Sequence, residues 1–335
     1  MSLVDGSTLD RPNFKEPPLQ IQLSNVLDAH NALNGRIVRT PLIHSLPLSE
    51  ETGANIWLKP EHWQLTGSFK IRGAYYRMSR LSTADRARGV ITASAGNHAQ
   101  GVALAGRLLG ISALVVVPLS APETKVDNIK RLGAEVVCTG DNYDASETAA
   151  LDLAQRTGRV FVHAYEDSDV AAGQGTVGLE MLTDHPELDV LIVPAGGGGL
   201  ICGIGAVARA VNPSIQVLGV QSEASAGWYE SWQADRVVAV EYQETWAEGL
   251  LGAIGRENFA FARNVADGFE VVSEADIRRA MRWAIDHHHW VVEGSGAVGV
   301  AWALNRGASL AGRSVGIVIS GGNVDTARLA ALLRN

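Results

Sequence analysis

The sequence predicts an α/β protein built around a buried, mostly parallel sheet, and two observations support this. Strand-like apolar runs such as ALVVVP, DVLIVP and VGIVIS recur between stretches with helical periodicity. The 335 residues are 46% apolar but only 6% aromatic and include 36 glycines, a usage typical of parallel sheets covered by helices. In such folds functional groups lie in loops that follow strands, so a site is expected there.

The first half of the chain is predicted to alternate between helices and strands. The order is a helix near Leu23 to Leu33, strand ANIWLKP, a helix after Gly67, strand GVITAS, a helix from Asn97 to Leu109, strand ALVVVP, a helix from Pro122 to Leu132 and strand EVVCTG. This alternation indicates a βαβ series. The proline-containing residues 1–20 before it are predicted to form an irregular arm.

A second α/β series is predicted after a helix around Tyr143 to Thr157 and the strand RVFVHA. The polar stretch EDSDVAAGQG near residue 167 is interpreted as a turn-rich boundary. It is followed by a helix from Thr176 to His185, strand DVLIVP, a helix after Gly199 and strands IQVLGV and VGIVIS. Residues 227–268 show little periodicity and are predicted to be irregular, before a helix from Glu274 to His288.

Composition argues against several classes of function. A net charge of −8 and a pI near 5.6, with no block of basic residues, argue against nucleic acid as a partner. No signal-peptide apolar region and no run of 18 uncharged apolar residues occurs, so a membrane location is not expected and a cytoplasmic one is. Cys138 and Cys202 lack metal-ligand spacing and are expected to be small buried apolar residues.

The strongest motif is VPAGGGGLICGIG, in which a strand ending at Pro194 is followed by Gly196 to Gly199 and then a helix. Four residues without side chains let backbone N–H groups converge on an anion, and the helix N-terminus adds partial positive charge. The alternative, a flexible turn, carries an entropic cost that a plain βα connection would not need. The motif therefore predicts a phosphate site.

The phosphate is not expected to belong to a dinucleotide or a nucleoside triphosphate. A G-x-G-x-x-G fingerprint starting at Gly196 or Gly197 fails, because its third glycine would fall on Ile201 or Cys202. The looser match at 203–208 lies inside the helix, and no GxxxxGK[ST] loop is present. A small phosphate monoester fits better.

Three further segments carry candidate functional groups. In LTGSFKIRGA, Lys70 lies between Phe69 and an isoleucine, an unusual setting for a solvated charge. In ITASAGNHAQG, Ser94 and Asn97 either cap the following helix or, with the turn's N–H groups, bind a carboxylate. In GIVISGGN, Ser320 ends a buried strand; taken alone, it would be ordinary turn chemistry.

Together, GSFKIRGA, SAGNHAQG and GGGGL in this order and spacing resemble the fold type II pyridoxal-phosphate (PLP) enzymes, and within them the threonine/serine dehydratase and serine racemase group. The likeness covers nearly the whole chain past residue 25. It implies a two-domain, tryptophan synthase β-like fold, in which each domain has a largely parallel sheet flanked by helices. The large cofactor-binding domain would comprise residues 1–85 and 167–335, with 1–20 as the arm, and a small mobile domain residues 86–166.

The resemblance also implies roles for particular residues. Lys70 would be the catalytic lysine that bonds the cofactor aldehyde, with Phe69 beside the cofactor. Gly196, Gly197, Gly198, Gly199 and Leu200 would hold the phosphate, Asn97 the ring hydroxyl and Ser320 the pyridine nitrogen. Ser94, Ala95, Gly96, Asn97 and His98 would bind the substrate carboxylate. The implied partners are PLP, a small amino-acid substrate and a second copy of the chain in a homodimer.

Two positions depart from features of the group. Serine racemases carry a serine directly before the Gly-Asn-His of this turn, where this chain has Ala95, so racemisation is not expected as the main activity. The acidic ligands that some relatives use for a divalent cation correspond here to Gln221 and a position near Gly227, so no tightly bound metal is expected, although Glu223 offers a partial substitute. The run His287 to His289 does not converge on one metal, because neighbours on a helix diverge.

The function implied is β-elimination of water from a β-hydroxy α-amino acid, with L-threonine or L-serine as substrate and a 2-oxo acid and ammonia as products. Alternatives within the class are a dehydratase for a bulkier hydroxy amino acid (phenylserine, hydroxyaspartate or an acid from hydroxyectoine), a serine racemase and a β-replacement enzyme. Glu248 and Glu293 are candidate residues near the cofactor. Trp228, Trp232 and Trp246 either line the substrate entrance or fill the core. A nicotinamide oxidoreductase and a non-catalytic sensor are less consistent with the motifs.

Overall fold

The structure is a computed structural model that describes residues 18–334. Most of the predicted arm therefore lies outside the described residues. The helices are α1 (Leu23–Leu33), α2 (Leu46–Thr52), α3 (Lys70–Ser79), α4 (Thr83–Arg88), α5 (Asn97–Leu109), α6 (Glu123–Leu132), α7 (Tyr143–Thr157), α8 (Ser168–Asp184), α9 (Gly199–Val211), α10 (Gly227–Ala234), α11 (Arg256–Val265), α12 (Glu274–His288), α13 (Gly294–Arg306) and α14 (Thr326–Arg334). The strands are β1 (Ile43–His44), β2 (Asn55–Pro60), β3 (Val90–Ala93), β4 (Ala113–Val117), β5 (Glu135–Cys138), β6 (Val160–Phe161), β7 (Val190–Pro194), β8 (Gln216–Ser222), β9 (Gly268–Val272) and β10 (Ser314–Ile319).

The strands form two sheets, which confirms the predicted α/β class. The larger sheet has the order β1-β2-β10-β7-β8-β9 and is parallel except for β1, which pairs antiparallel with β2. The smaller sheet, of order β5-β4-β3-β6, is parallel throughout. Strands β7 and β10 are buried at every position, as expected for parallel strands covered on both faces. Two large apolar clusters pack around the larger sheet, and two others pack around the smaller one.

Helix α8 corrects the interpretation of EDSDVAAGQG as a turn-rich stretch, since most of these residues are helical. The helix begins at Ser168, eight residues before the predicted start, and the Asp167 carboxylate accepts a hydrogen bond from Val170 N at 2.9 Å to cap it. The glycines that lower the helix propensity of this stretch face neighbouring helices. An added Cβ on Gly175 would lie 2.8 Å from Gly203 O of α9, so the small residues permit close packing of α8 against α9.

Two other expectations were wrong in part. Residues 227–268 are not wholly irregular, because they contain α10 and α11 and reach the start of β9; α11 is amphipathic and buries its apolar face. Cys202 is buried as expected, but Cys138 is exposed, since it lies at the end of the edge strand β5. Within residues 18–334, no helix is long and apolar enough to cross a membrane.

The contact between α8 and α9 yields the first testable prediction. An added Cβ at Gly203 would lie 2.2 Å from Ala171 O, so Gly203→Ala forces two helices apart. We expect the free energy of unfolding to fall by about 1–3 kcal/mol, the usual cost of overpacking, measured by urea denaturation. Gly268→Ala is the control, because its nearest atom lies 3.6 Å away. Equal stability of the two variants would contradict the account.

Candidate active site

Loops that follow the carboxyl ends of strands in both sheets converge on one cavity of about 610 Å³. They follow β3, β5, β6, β7 and β10. Every site residue expected from the sequence lines this cavity: Phe69, Lys70, Ser94, Ala95, Gly96, Asn97, His98, Gly196, Gly197, Gly198, Gly199, Leu200 and Ser320. Chemistry-bearing groups separated by up to 250 residues are thus brought to one place, as the topology of parallel sheets dictates.

Lys70 is the first residue of α3 and its amine is held inside the cavity wall. Nζ donates a hydrogen bond to Ala164 O at 2.9 Å and lies 5.3 Å from the centroid of the Phe69 ring. Burial lowers the pKa of this amine to about 8, while the Glu293 carboxylate opposes the shift. Among the lysines of residues 18–334, only Lys70 lines the cavity. Its amine can therefore become neutral, and nucleophilic, near physiological pH.

The glycine loop after β7 has the geometry of an anion cradle. Gly198 has φ +108°, in the left-handed region, and an added Cβ on Gly197 would lie 2.3 Å from the Tyr165 ring. The Gly196 carbonyl accepts from Trp228 Nε1 at 2.5 Å, and the Gly197 carbonyl accepts from Asn258 Nδ2 at 2.7 Å. Because C=O and N–H point in opposite directions across a trans peptide, the two following N–H groups are turned toward the cavity. The start of α9 adds further N–H donors.

The turn between β3 and α5 offers donors without using its side chains as helix caps. Neither Ser94 nor Asn97 caps α5; the Ser94 hydroxyl accepts from Gly96 N at 3.2 Å instead. The His98 Nε2 atom lies 3.0 Å from Val162 O, and since a carbonyl only accepts, Nε2 carries the proton. Burial lowers the pKa of His98 to about 3. The ring is thus neutral, and the turn can meet a carboxylate with backbone N–H groups.

Asn97 is held at both ends of its side-chain amide. Nδ2 donates to Glu293 Oε1 at 2.7 Å, and Oδ1 accepts from Asn323 Nδ2 at 2.7 Å. Since an amide nitrogen carries two hydrogens, one donor remains for a ligand. Burial raises the pKa of Glu293 to about 7, with the Asn97 hydrogen bond opposing the shift. Glu293 can thus hold a proton at neutral pH inside the cavity.

Ser320 lies immediately after β10, next to the beginning of α3. Its hydroxyl donates a hydrogen bond to Ser295 O at 3.3 Å, and the residue as a whole is buried, with 3% of its surface exposed. Its carbonyl accepts from Phe69 N at 3.1 Å, and Gly321 pairs with Ser68 in an isolated bridge. The loop that carries Lys70 is therefore fastened to the loop that carries Ser320.

Several cavity residues were not found by sequence reasoning. Tyr165, Gln174 and Ser295 line the wall, and Asn258 orients the glycine loop from α11. Tyr165 follows the strand RVFVHA, and its position after a parallel strand was a usable signal. The other three residues follow no motif. Glu248 and Glu293 both line the cavity, but Glu248 is engaged in ion pairs with Lys125 and Arg328.

The three tryptophans fill core or support loops and do not line the cavity. Trp228 is fully buried and stacks on Phe269, with ring centroids 4.5 Å apart. Trp232 also packs on Phe269. Trp246 packs against one of the two apolar clusters around the larger sheet. At the position where some relatives bind a divalent cation, the Gln221 side-chain oxygen accepts a hydrogen bond from Trp228 N at 2.7 Å. The described residues hold no group of three or more His, Cys, Asp or Glu side chains that could bind a metal ion.

Comparison with known proteins identifies the class. A family model described as "Pyridoxal-phosphate dependent enzyme" matches residues 33–321, and the chain belongs to this family. Its fold is that of the fold type II PLP enzymes. A solved structure of maize serine racemase superposes with a TM-score of 0.89 at 34% identity, covering 94% of this chain and 97% of that one.

Two curated relatives specify the resemblance further. The L-threonine ammonia-lyase of Thermotoga maritima is 44% identical over 306 residues, 91% of this chain and 76% of that protein. A catabolic L-threonine dehydratase, TdcB, of Staphylococcus aureus strain N315 is 39% identical over 320 residues, 94% of this chain and 92% of that protein. The cavity fits the family's cofactor: it combines a loop of four glycines, at each of which an added Cβ would lie within 3.3 Å of a neighbouring residue, with a lysine amine whose pKa is lowered.

The lowered pKa of Lys70 predicts a pH dependence of cofactor uptake. The neutral amine is the form that attacks an aldehyde, and its fraction rises with pH. We expect the rate of PLP attachment to cofactor-free protein to rise with pH and to level off above about 8. Stopped-flow absorption would measure it. A rate still climbing near the ordinary lysine pKa of about 10.4 would contradict the account.

Asn258 provides a test of the cradle. Asn258→Ala removes the shorter of two hydrogen bonds to the Gly197 carbonyl, leaving only the bond from Gly255 N at 3.3 Å. We expect this to cost about 1–3 kcal/mol and to loosen the loop. We expect the dissociation constant of PLP to rise by roughly 5- to 100-fold, measured by equilibrium dialysis. The control is Asn264→Ala, on the exposed side of the same helix α11. Unchanged affinity in Asn258→Ala would show that the cradle does not depend on this contact.

Proposed function

We propose that the chain is a PLP-dependent ammonia-lyase that eliminates water from L-threonine or L-serine, giving a 2-oxo acid and ammonia. The observation that carries the proposal is the desolvated Lys70 amine on the wall of a cavity whose opposite parts are a phosphate cradle and a carboxylate-binding turn. The names of the two curated relatives support the same substrate class.

PLP supplies the electron sink that makes the α-hydrogen of a bound amino acid acidic. Lys70, neutral near pH 8, takes that proton at Nζ. Within the 94–98 turn, Ser94 N donates to Val116 O and Gly96 N to the Ser94 hydroxyl, so the N–H groups of Ala95, Asn97 and His98 would hold the substrate carboxylate. The second hydrogen of Asn97 Nδ2 would be available to the ring hydroxyl. Glu293, whose pKa is raised to about 7, is a cavity acid able to supply a proton to the departing hydroxyl.

Ser320 is expected to shape the outcome at the pyridine nitrogen. A hydroxyl is not an anion and would provide no charge partner for a protonated ring, so a pyridine nitrogen held by Ser320 would be largely unprotonated. Such a cofactor would be a weaker electron sink, which would favour loss of the β-substituent over transamination.

A substrate panel tests the proposal and its in-class alternative. Purified PLP-loaded protein is offered L-threonine, L-serine, threo-3-hydroxyaspartate and phenylserine, and 2-oxo acid release is measured. We expect turnover of threonine or serine and a loss of at least 1,000-fold in Lys70→Ala, because removing a catalytic base and nucleophile costs about this much or more. Turnover of phenylserine alone would show that the substrate is a bulkier hydroxy amino acid than threonine or serine. Turnover retained in Lys70→Ala would refute the proposal.

Ala95 bears on racemisation, which needs proton transfer on both faces of the substrate. A methyl group cannot move a proton, so we expect the wild-type ratio of racemisation to elimination to be low. Ala95→Ser is expected to raise this ratio about tenfold or more, given the usual size of acid–base catalysis, measured by chiral chromatography of serine. Ser94→Ala is the matched control, and a drop in the ratio there would show that Ser94 already serves the second face. No change in Ala95→Ser would contradict one-sided proton transfer.

The remaining expectations are also proposals. The division into a large domain (1–85 and 167–335) and a small mobile domain (86–166) is supported by the smaller sheet, whose strands all fall within residues 90–161. The homodimer and the cytoplasmic location stay predictions, and sedimentation of the purified protein and fractionation of cells would measure them.

A further inference from the structure

A cluster of four charged side chains is buried beside the cavity but does not line it. Lys59, Glu61, Arg72 and Glu180 have side chains that are at most 4% exposed. The cluster holds two positive and two negative groups, so its formal charge balances. None of the four side chains lines the cavity, so none has a direct part in the proposed reaction.

The geometry of the cluster is tight and directional. The Arg72 guanidinium donates to Glu61 from Nε at 2.7 Å and from Nη2 at 2.8 Å, and to Glu180 from Nη1 at 2.7 Å and Nη2 at 2.9 Å. Lys59 Nζ donates to Glu180 at 2.6 Å and to Thr40 O at 2.5 Å. The Thr40 hydroxyl donates to Glu61 at 2.5 Å. A planar fork that meets two carboxylates fixes both position and angle.

Stability alone does not explain such a cluster. Removing charges from water is costly, and well-packed apolar side chains of similar volume often give equal or greater stability. What a buried, fully paired network provides is a defined arrangement of the elements that carry it. The helices and strands that carry the four residues therefore show which parts of the structure the cluster positions.

Each of these elements leads directly to the proposed active site. Arg72 lies on α3, two residues after Lys70. Lys59 and Glu61 flank the end of β2, where Pro60 is in register with Ile319, the residue before Ser320. Glu180 lies on α8, which also binds α3 through Gln174 Oε1, the acceptor of Gly73 N at 3.1 Å.

We infer that Arg72 is a positioning residue: through Glu61 and Glu180 it fixes the start of α3 relative to the end of β10, and so sets where the Lys70 amine lies with respect to Ser320. This inference rests on the proposed role of Lys70 as the cofactor lysine. Its consequence is that changes to the cluster alter cofactor geometry and turnover more than substrate affinity.

The test compares Arg72→Lys with Arg77→Lys. Arg77 lies on the same helix and also binds α8, through Asp167 at 2.7 Å, but it lies two turns from Lys70 and both partners are about one-fifth exposed. Each substitution keeps the charge and removes the planar fork. Measurements are the PLP dissociation constant, the visible absorption spectrum of the bound cofactor, kcat and KM for the best substrate, and the urea midpoint.

We expect Arg72→Lys to lower kcat by roughly 100-fold, the scale for a displacement of about 1 Å, with KM changed less than about threefold. PLP affinity is expected to weaken and the absorption band to shift. Arg77→Lys is expected to change only the urea midpoint. Equal kcat, spectrum and PLP affinity in the two variants would overturn the inference, as would an Arg72→Lys defect confined to the urea midpoint.

A milder variant keeps the test decisive if Arg72→Lys does not fold. Thr40→Val removes one hydrogen bond to Glu61 but no charge, and the Thr40 carbonyl still meets Lys59. We expect kcat to fall by about three- to tenfold with a shifted absorption band; an unchanged kcat and spectrum would overturn the inference. Lys70→Ala is measured alongside. Turnover retained there refutes the proposed function, whereas loss there combined with normal Arg72→Lys and Thr40→Val refutes only the positioning role.

Discussion

The site depends on keeping one amine out of water. A lysine is normally solvated, and its neutral form is scarce near pH 7. In this chain Lys70 begins α3 beside the Phe69 ring, and its amine donates a hydrogen bond to the carbonyl of Ala164, in the loop after β6. Burial, which lowers its pKa to about 8, is the physical cause of its reactivity. In the proposed reaction, the surrounding loops would hold the phosphate ester and the amino acid on which that amine acts.

The two parallel sheets explain why these loops meet. The glycine cradle and Ser320 follow neighbouring strands of the larger sheet, β7 and β10. The 94–98 turn and Ala164 follow β3 and β6, neighbours in the smaller sheet. Each sheet thus presents loops at its carboxyl edge, and the cavity lies where the two edges face each other. Contacts cross between them: Asn97 of the 94–98 turn donates to Glu293 at the start of α13, a helix that packs against β7 and β10.

Much of this arrangement could be predicted from local sequence, because its signals are local. Apolar runs mark the strands, and the GGGG, SAGNH and SFK segments each carry a special backbone or side-chain requirement within a few residues. Helix α8 was missed at its start because its glycines lower helix propensity, and only tertiary packing against α9 compensates for that. The prediction that Cys138 is buried was wrong because Cys138 lies on an edge strand, and strand order, not residue type, decides which strand is at the edge.

Long-range support was not predictable at all. Asn258 and Trp228 turn the carbonyls of the glycine loop away from the cavity, yet they are 61 and 32 residues from the glycines that they bind, and no motif marks them. The Lys59, Glu61, Arg72 and Glu180 cluster joins residues up to 121 positions apart. Charged residues of this kind look like ordinary surface groups in a sequence, because their partners become neighbours only after the sheets have formed.

The central claim is that the cofactor is carried by Lys70 and by no other amine, and one measurement tests it directly. The sequence contains five lysines, Lys15, Lys59, Lys70, Lys125 and Lys130. Borohydride reduction of the PLP-loaded protein, followed by digestion and mass spectrometry of the peptides, locates the attached group. The account predicts a pyridoxyl group on the peptide that contains Lys70, with the other four lysines unmodified. Attachment to a different lysine, or none to Lys70 in a protein that retains the cofactor and turns over substrate, would contradict it.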